Sequence, residues 1–349
     1  MISLYFHIPF CRKKCAYCDF FSVSDENKIK NYVDCLKMEI ISRKTNEEVE
    51  TIFFGGGTPS ILSEDLFCEI ADSIKENFNI SKNCEWTIEC NPESFSEEKV
   101  KCWTCCGVNR LSIGIQSLND EELKICGRAH NREQAISVLQ NPILQNFSSI
   151  SVDLIYGLPS QTEKSFAETL KTICGFSAVK HISLYELTLS ENSKLTKISE
   201  EEIEKITENS RIFLQKNGFE RYEVSNFAKY GFRCKHNENY WTGKNYLGFG
   251  AAAHSFDGEN RCANSADLKY NLEFSEKLTT EQKRTEFLML RLRFADGFLL
   301  SDFQEKFGNL GNEKYIAELQ KNGLLQIKDG ICKLTERGLD FADGIAGKL

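Results

Sequence analysis

The chain has 349 residues, with 43 Lys and Arg against 51 Asp and Glu, a formal charge of −8. That balance excludes a generally basic nucleic-acid binder, and 41% hydrophobic with 27% charged residues is the mix of a folded globular chain rather than a disordered one. No apolar run approaches the ~18 residues of a membrane span, and MISLYFHIPFC lacks a basic n-region and a long apolar h-region, so no secretory signal is expected.

Short apolar runs of strand type fall at 3–8, 51–54, 85–89, 110–115, 149–155 and 181–187. Amphipathic helical patterns alternate with them at 29–44, 64–77, 96–106, 120–141, 163–174 and 200–217. Six strand–helix units in a row predict an α/β fold with a parallel sheet and right-handed crossovers. A barrel or partial barrel of (β/α)6 type fits, and a doubly wound sheet stays open. After residue 218 the rhythm breaks: 219–265 is rich in Gly, Asn and aromatics and carries HNENYW and YLGFGAAAHSF. Helical patterns return at 280–292, 300–307 and 313–322, followed by strand-like runs at 324–327 and 331–334 and a final helix. The expected organisation is a core barrel over 1–218, a barrel extension over 219–265, and a small, mainly helical, winged-helix-like domain over 266–349.

Fifteen cysteines is an odd and large number for a long globular chain. It argues against a secreted disulfide scaffold and for a reducing cytoplasm, with most thiols acting as small core hydrophobes. Cys11, Cys15 and Cys18, in HIPFCRKKCAYCDF, are different. Three thiols so close together, directly after a strand, cannot share one helix face but can line a loop around a metal centre. Zinc usually asks for a fourth Cys or His nearby, and ordinary ferredoxin-type clusters also take four Cys. A cube of four irons on three Cys leaves one iron open to chelate a small molecule. Cys102, Cys105 and Cys106 in KCWTCCG lie at helical spacing, where thiols on a core face are the ordinary reading and a second metal site the sharper one.

Further along, TIFFGGGTPS ends a strand in three glycines whose backbone can approach a ligand and offer free N–H groups. Glu89, Gln116 and Asp153 each sit at the C-terminal end of an apolar strand, and parallel strand ends open on one face of a barrel. Arg128, in GRAHN, is either half of a surface ion pair or a fork for a carboxylate.

With Tyr17 before the last Cys, the C-x3-C-x2-C motif resembles that of the radical S-adenosylmethionine superfamily. Family members bind the methionine moiety at the open iron of a 4Fe-4S cluster and cleave the sulfonium reductively. GGTP resembles the element that cradles the methionine amino group, at Gly56, Gly57 and Thr58. LYFHIPFCRKKCAYC, FFGGGTPS, RLSIGIQSLNDEELKICGRAH and DLIYGLPSQT are similar to the coproporphyrinogen dehydrogenase branch. By position this resemblance implies cluster ligands at Cys11, Cys15 and Cys18. It implies S-adenosylmethionine contacts at Tyr5, Tyr17, Gly56, Gly57, Thr58, Glu89, Gln116, Arg128 and Asp153.

Two departures separate the chain from the porphyrinogen-oxidising enzymes of that branch. Phe20 stands where they carry a further Cys, and only ten residues precede Cys11. Both point to heme-chaperone relatives, which carry an HNxxYW motif matched by His236, Asn237, Tyr240 and Trp241. Imidazole is a strong axial ligand for heme iron and aromatic rings offer flat apolar contact, so these four are candidate heme contacts. Packing of the barrel mouth is the alternative, with Cys234 and His254 as further conceivable ligands. The function implied is heme binding and delivery to recipient hemoproteins, with an electron donor for the cluster. The alternative is oxygen-independent coproporphyrinogen III oxidation.

Overall fold

The first strand, β1 (Ile2–Ile8), buries Leu4, Phe6 and Ile8 completely, and its neighbours repeat that density of apolar side chains. Strands covered on both faces read as near-continuous hydrophobic runs, the mark of a parallel sheet under helices. A computed structural model, which describes residues 1–189, 193 and 195–349, bears this out. β2 (Glu48–Gly56), β3 (Asn79–Cys90), β4 (Arg110–Gln116), β5 (Ser149–Tyr156) and β6 (Val179–Glu186) follow β1 in parallel, each beside its predecessor.

Outside this sheet lie α1 (Ile29–Ser42), α2 (Glu64–Asn77), α3 (Glu97–Cys106), α4 (Asp120–Ile125), α5 (Arg132–Gln140), α6 (Glu163–Cys174) and α7 (Glu200–Lys216). Several begin where a side-chain oxygen takes up a free N–H of the first turn: Ser63 at α2, Ser96 at α3, Asn131 at α5 and Thr162 at α6. One helix was expected over 120–141, but α4 and α5 are separate. Gly127, at φ +74°, turns the chain between them, and the periodicity on either side hides the break.

The later strands were not expected. β7 (Glu220–Arg221), β8 (Asn226–Ala228), β9 (Tyr246–Phe249), β10 (His254–Phe256), β11 (Asn260–Asn264) and β12 (Leu272–Lys277) join the same sheet. β9 runs parallel to β1 and β8 antiparallel to β6. Among the described residues β1 and β6 do not pair with each other, so the barrel is partial and open. The helix α8 (Lys235–Trp241) lies between β8 and β9 in sequence. The hairpin of β11 and β12 spans residue 265, so the boundary expected there divides one hairpin.

A second, smaller core gathers Leu288, Phe303, Leu319 and Cys332. They come from α9 (Thr280–Arg291), α10 (Leu300–Phe307), α11 (Glu313–Lys321) and the three-stranded sheet of β13 (Phe298–Leu299), β14 (Leu325–Lys328) and β15 (Ile331–Leu334). α12 (Ala342–Ala346) closes it, and the Asp340 carboxylate, accepting from Arg221 at 2.7 Å, ties it back to β7. No helix of the described residues is long and apolar enough to cross a membrane.

Candidate cofactor-binding site

At the C-terminal ends of the parallel strands lies a cavity of about 670 Å³. Its wall takes Cys11, Cys15 and Cys18 from the loop after β1, Gly56–Thr58 after β2, Glu89 and Asn91 at the end of β3, Gly114 and Gln116 on β4, Arg128, and Asp153 on β5.

The cysteine loop is held by its surroundings before any ligand is considered. Ala16 N–H donates to Cys126 O at 3.0 Å and Cys11 N–H to Val23 O at 3.0 Å. The Gly57 and Thr58 N–H groups reach back to Ile8 O at 2.9 Å and Phe10 O at 2.8 Å. His7 Nε2 lies 3.1 Å from Phe21 O and its Nδ1 3.1 Å from the Tyr5 hydroxyl, so both ring nitrogens are engaged beneath the loop. A side chain at Gly57 would meet Phe10 O at 2.7 Å, and one at Gly56 the His7 ring at 2.6 Å. Gly56 also has φ +107°, in the region that favours glycine, so both the space and the backbone exclude a larger residue.

A chain of hydrogen bonds links the thiols to the strand ends. Arg128 directs Nη1 to Cys15 Sγ at 3.5 Å, and Nη2 to both Asn91 Oδ1 and Gly114 O at 2.7 Å. Asn91 Nδ2 donates to Thr58 Oγ1 at 3.2 Å, and Thr58 Oγ1 in turn to Cys11 Sγ at 3.5 Å. Two of the three thiols therefore accept from residues that also shape the cavity, and burial pushes the Cys18 thiol up. A Cβ at Gly114 would lie 2.7 Å from Asn91 Oδ1, so the missing side chain leaves room for the Arg128 fork. The sequence left Arg128 as either half of a surface ion pair or a fork for a ligand carboxylate. Among the described residues its fork meets a thiol, a side-chain amide and a carbonyl, while Nε has no protein partner.

The floor is acidic. Burial first, and then the Asp153 charge, push the Glu89 carboxyl from 4.5 up to about 8, against one hydrogen bond from the Gly56 N–H. Burial likewise raises Asp153, although Ser112 Oγ lies 3.1 Å from each of its oxygens. Gln116 carries φ +65°, unusual for a non-glycine residue, where the β4–β5 register shifts. Tyr17 packs with Cys126, Ile155, Leu158 and Leu187 beside the loop. Tyr5 lies behind Glu89: a Cβ at Gly55 would touch Tyr5 Cε2 at 3.1 Å and Glu89 Oε2 at 3.2 Å. Asn91 and Gly114 were not singled out from the sequence. Asn91 had a signal, standing two residues beyond Glu89 at the same strand end.

Residues 5–173 match the model of the Radical SAM superfamily and residues 278–341 that of the HemN C-terminal domain. Heme chaperone HemW of Bacillus subtilis (strain 168) is 32% identical to this chain, covering 99% of it and 98% of the relative. The chain belongs to the HemW family of radical SAM proteins. HemW of Haemophilus influenzae is 35% identical over 97% of this chain and 95% of its own. The mitochondrial radical S-adenosyl methionine domain-containing protein 1 of Danio rerio is 31% identical over 98% and 85%. The solved coproporphyrinogen III oxidase (HemN) of Escherichia coli shares the fold, with a TM-score of 0.86 at 24% identity over 99% of this chain and 89% of that one.

In this HemW-family chain the HNENYW residues are at the opposite end of the barrel from the cavity. The Glu85 carboxylate on β3 caps the start of α8, accepting from Lys235 N–H at 3.1 Å and His236 N–H at 3.0 Å. Asn239 Nδ2 donates to Ser3 Oγ at 2.8 Å on β1. His236 is 1% exposed, with Nδ1 2.8 Å from Thr51 Oγ1 and Nε2 3.1 Å from the Tyr240 hydroxyl. Its ring stacks on Phe53 at 5.0 Å, and burial pulls it down to about 3. In this arrangement neither ring nitrogen is offered to an iron. Arg293 lies over the Trp241 ring at 5.0 Å, and half-buried Asn237 completes the helix. Cys234 is buried against Glu85, with Sγ 3.4 Å from Oε1. His130 and His181 are likewise engaged through both nitrogens, leaving His254 as the exposed histidine.

Proposed function

We propose that this protein binds heme and delivers it to recipient hemoproteins, carrying a 4Fe-4S cluster on Cys11, Cys15 and Cys18 and S-adenosylmethionine in the adjoining cavity. The observation that carries the cofactor assignment is the convergence, on one cavity, of three thiols, a glycine cradle that a Cβ would fill, and two buried carboxyls. When bound, the cluster and S-adenosylmethionine supply one-electron redox chemistry.

The protein's residues do the binding and orienting. Gly56, Gly57 and Thr58 give a close backbone approach to an amino-acid moiety. Glu89 and Asp153 accept from amine or hydroxyl donors, which offset the burial that raises both carboxyls. Gln116 serves as donor or acceptor, Tyr17 bounds the pocket, and Tyr5 backs Glu89 from behind. Arg128 orients the loop through Cys15, Asn91 and Gly114.

Support for the heme role is the likeness to chaperones named HemW over nearly the whole chain, together with Phe20 at the position of the additional enzyme cysteine. Phe20 is 65% exposed at the rim of the cavity. Because α8 seals the far end of the barrel, His236, Asn237, Tyr240 and Trp241 act in this reading as a structural plug. The heme seat then lies elsewhere, or opens when α8 moves. We place the protein in the cytoplasm beside an electron donor: the 15 cysteines are free thiols, and a cluster on three of them needs reducing surroundings.

The test is anaerobic reconstitution, followed by heme titration read at the Soret band and by incubation with coproporphyrinogen III, reductant and S-adenosylmethionine. Heme binding without protoporphyrinogen formation is expected. Catalytic formation of protoporphyrinogen IX would overturn the chaperone reading in favour of the oxidase.

A further inference from the structure

A second group of three cysteines lies on the outer helical layer, away from the cavity. Cys68 is on α2 and Cys102 and Cys106 are one turn apart on α3. Cys68 Sγ is 3.4 Å from Cys102 Sγ and 3.6 Å from Cys106 Sγ, and all three sulfurs lie within 4.8 Å of one another. Cys11, Cys15 and Cys18 do not belong to this group, and Cys105, expected from spacing alone to share the face, is exposed.

The geometry gathers three thiols closely enough to share one metal ion and holds no formed disulfide between them. A metal–sulfur bond of about 2.3 Å separates thiolates by about 3.8 Å around a tetrahedral ion and about 4.0 Å around a trigonal one. The separations of 3.4 and 3.6 Å fall a few tenths of an ångström short of those values, a gap that a small side-chain shift closes, whereas a disulfide would bring two sulfurs to about 2.05 Å. Among the described residues no fourth His, Cys, Asp or Glu joins the group. Three soft donors without a fourth match a cation content with trigonal thiolate coordination, while zinc would need an added water. Cys106 is 5% exposed, whereas Cys68 and Cys102 are only partly covered, which leaves an entry path. Lys75, on the last turn of α2, is near enough to Cys106 to offset thiolate charge.

We propose that Cys68, Cys102 and Cys106 form a three-thiolate site for a soft monovalent cation of the copper(I) class, stapling α2 to α3. Binding exchanges three thiol protons for one cation, with no change of oxidation state. α2 follows the glycine cradle and α3 follows the Glu89 strand, so the staple braces the two segments that shape the cavity from behind.

The experiment uses the full chain with its cluster reconstituted, offered copper(I) from a chromogenic chelator under anaerobic conditions, with copper and iron counted together. One copper per chain withheld from the chelator, with undiminished iron and the near-edge X-ray spectrum of a three-coordinate cuprous thiolate, is expected. Affinity should fall more than about tenfold in Cys102→Ser and in Cys68→Ser, and stay unchanged in Cys105→Ser. Circular dichroism confirms that each variant is folded, and the two half-buried positions guard against loss of one variant. Copper withheld equally by the parent and both variants, copper gained only as iron is lost, or a Cys68–Cys102 disulfide in place of the metal would each overturn the proposal.

Discussion

Replacing Glu89 by Gln removes a titratable carboxyl from the cavity wall while keeping its shape. Burial, and then the Asp153 charge, move this group from 4.5 up to about 8 in the native fold. Between those values the folded chain holds a proton that the unfolded chain has released. The native state binds more protons there, so stability falls as pH rises through that window. At pH 7 the span above 4.5 is 2.5 pH units, which is ~3 kcal/mol at about 1.36 kcal/mol per unit. Water in the cavity screens part of that, leaving about 1–2 kcal/mol. Ligand-free Glu89→Gln should therefore melt about 1–3 °C above the parent at pH 7, with the difference shrinking toward zero at pH 5. Calorimetry of the ligand-free chain across pH 5 to 8 reads it directly. A melting difference that is constant with pH, or larger at pH 5, would refute a protonated native Glu89. The same variant should bind S-adenosylmethionine more weakly, because an amide replaces a carboxylate opposite the ligand's donors.

Cys15→Ala is expected to lose the cluster's colour and iron after anaerobic reconstitution while the chain stays folded; an unchanged visible spectrum would remove Cys15 from the ligand set. Gly56→Ala sets a methyl group 2.6 Å from the His7 ring on a backbone at φ +107°, so denaturant unfolding should show a loss of more than about 2 kcal/mol together with weakened cofactor binding. His236→Ala deletes two buried hydrogen bonds and a stacked ring, for about 2–4 kcal/mol of stability, and should leave the Soret band of heme-loaded protein in place. A shifted or vanished band would return His236 to the list of heme ligands.

The fold's first two-thirds could be read in the sequence because its parallel strands are buried on both faces and stand out as apolar runs between amphipathic segments. The strands from β8 to β12 could not: they are short, rich in Gly and Asn, and β12 is exposed along its whole length, so no hydrophobic period marks them. Arg128 shows the same limit at the site. Its presence beside the cysteines was legible from the motif, but its partners Asn91 and Gly114 lie 37 and 14 residues away, and only the folded sheet joins them. The second thiol group was half legible. Helical spacing placed Cys102, Cys105 and Cys106 on one face, but Cys105 is exposed and the third thiol is Cys68, from a neighbouring helix that spacing cannot reach. For HNENYW the residue types suited both heme iron and packing of the barrel, and the contacts with Thr51, Glu85 and Ser3 that favour packing exist only in three dimensions.

The placement of β1 has a consequence for how the molecule is made. The strand that leads into the cysteine loop is central in the sheet, with β2 on one side and β9 on the other, where Ser3 meets Tyr246. During synthesis the first neighbour arrives early and the second some 243 residues later. Until residues 246–249 leave the ribosome, the platform beneath the loop has a bare edge, exposed to solvent and to other chains. An emerging polypeptide therefore displays its three thiols well before their foundation is finished, and a chain cut short ahead of Tyr246 would keep the motif yet lack the strand that shields it.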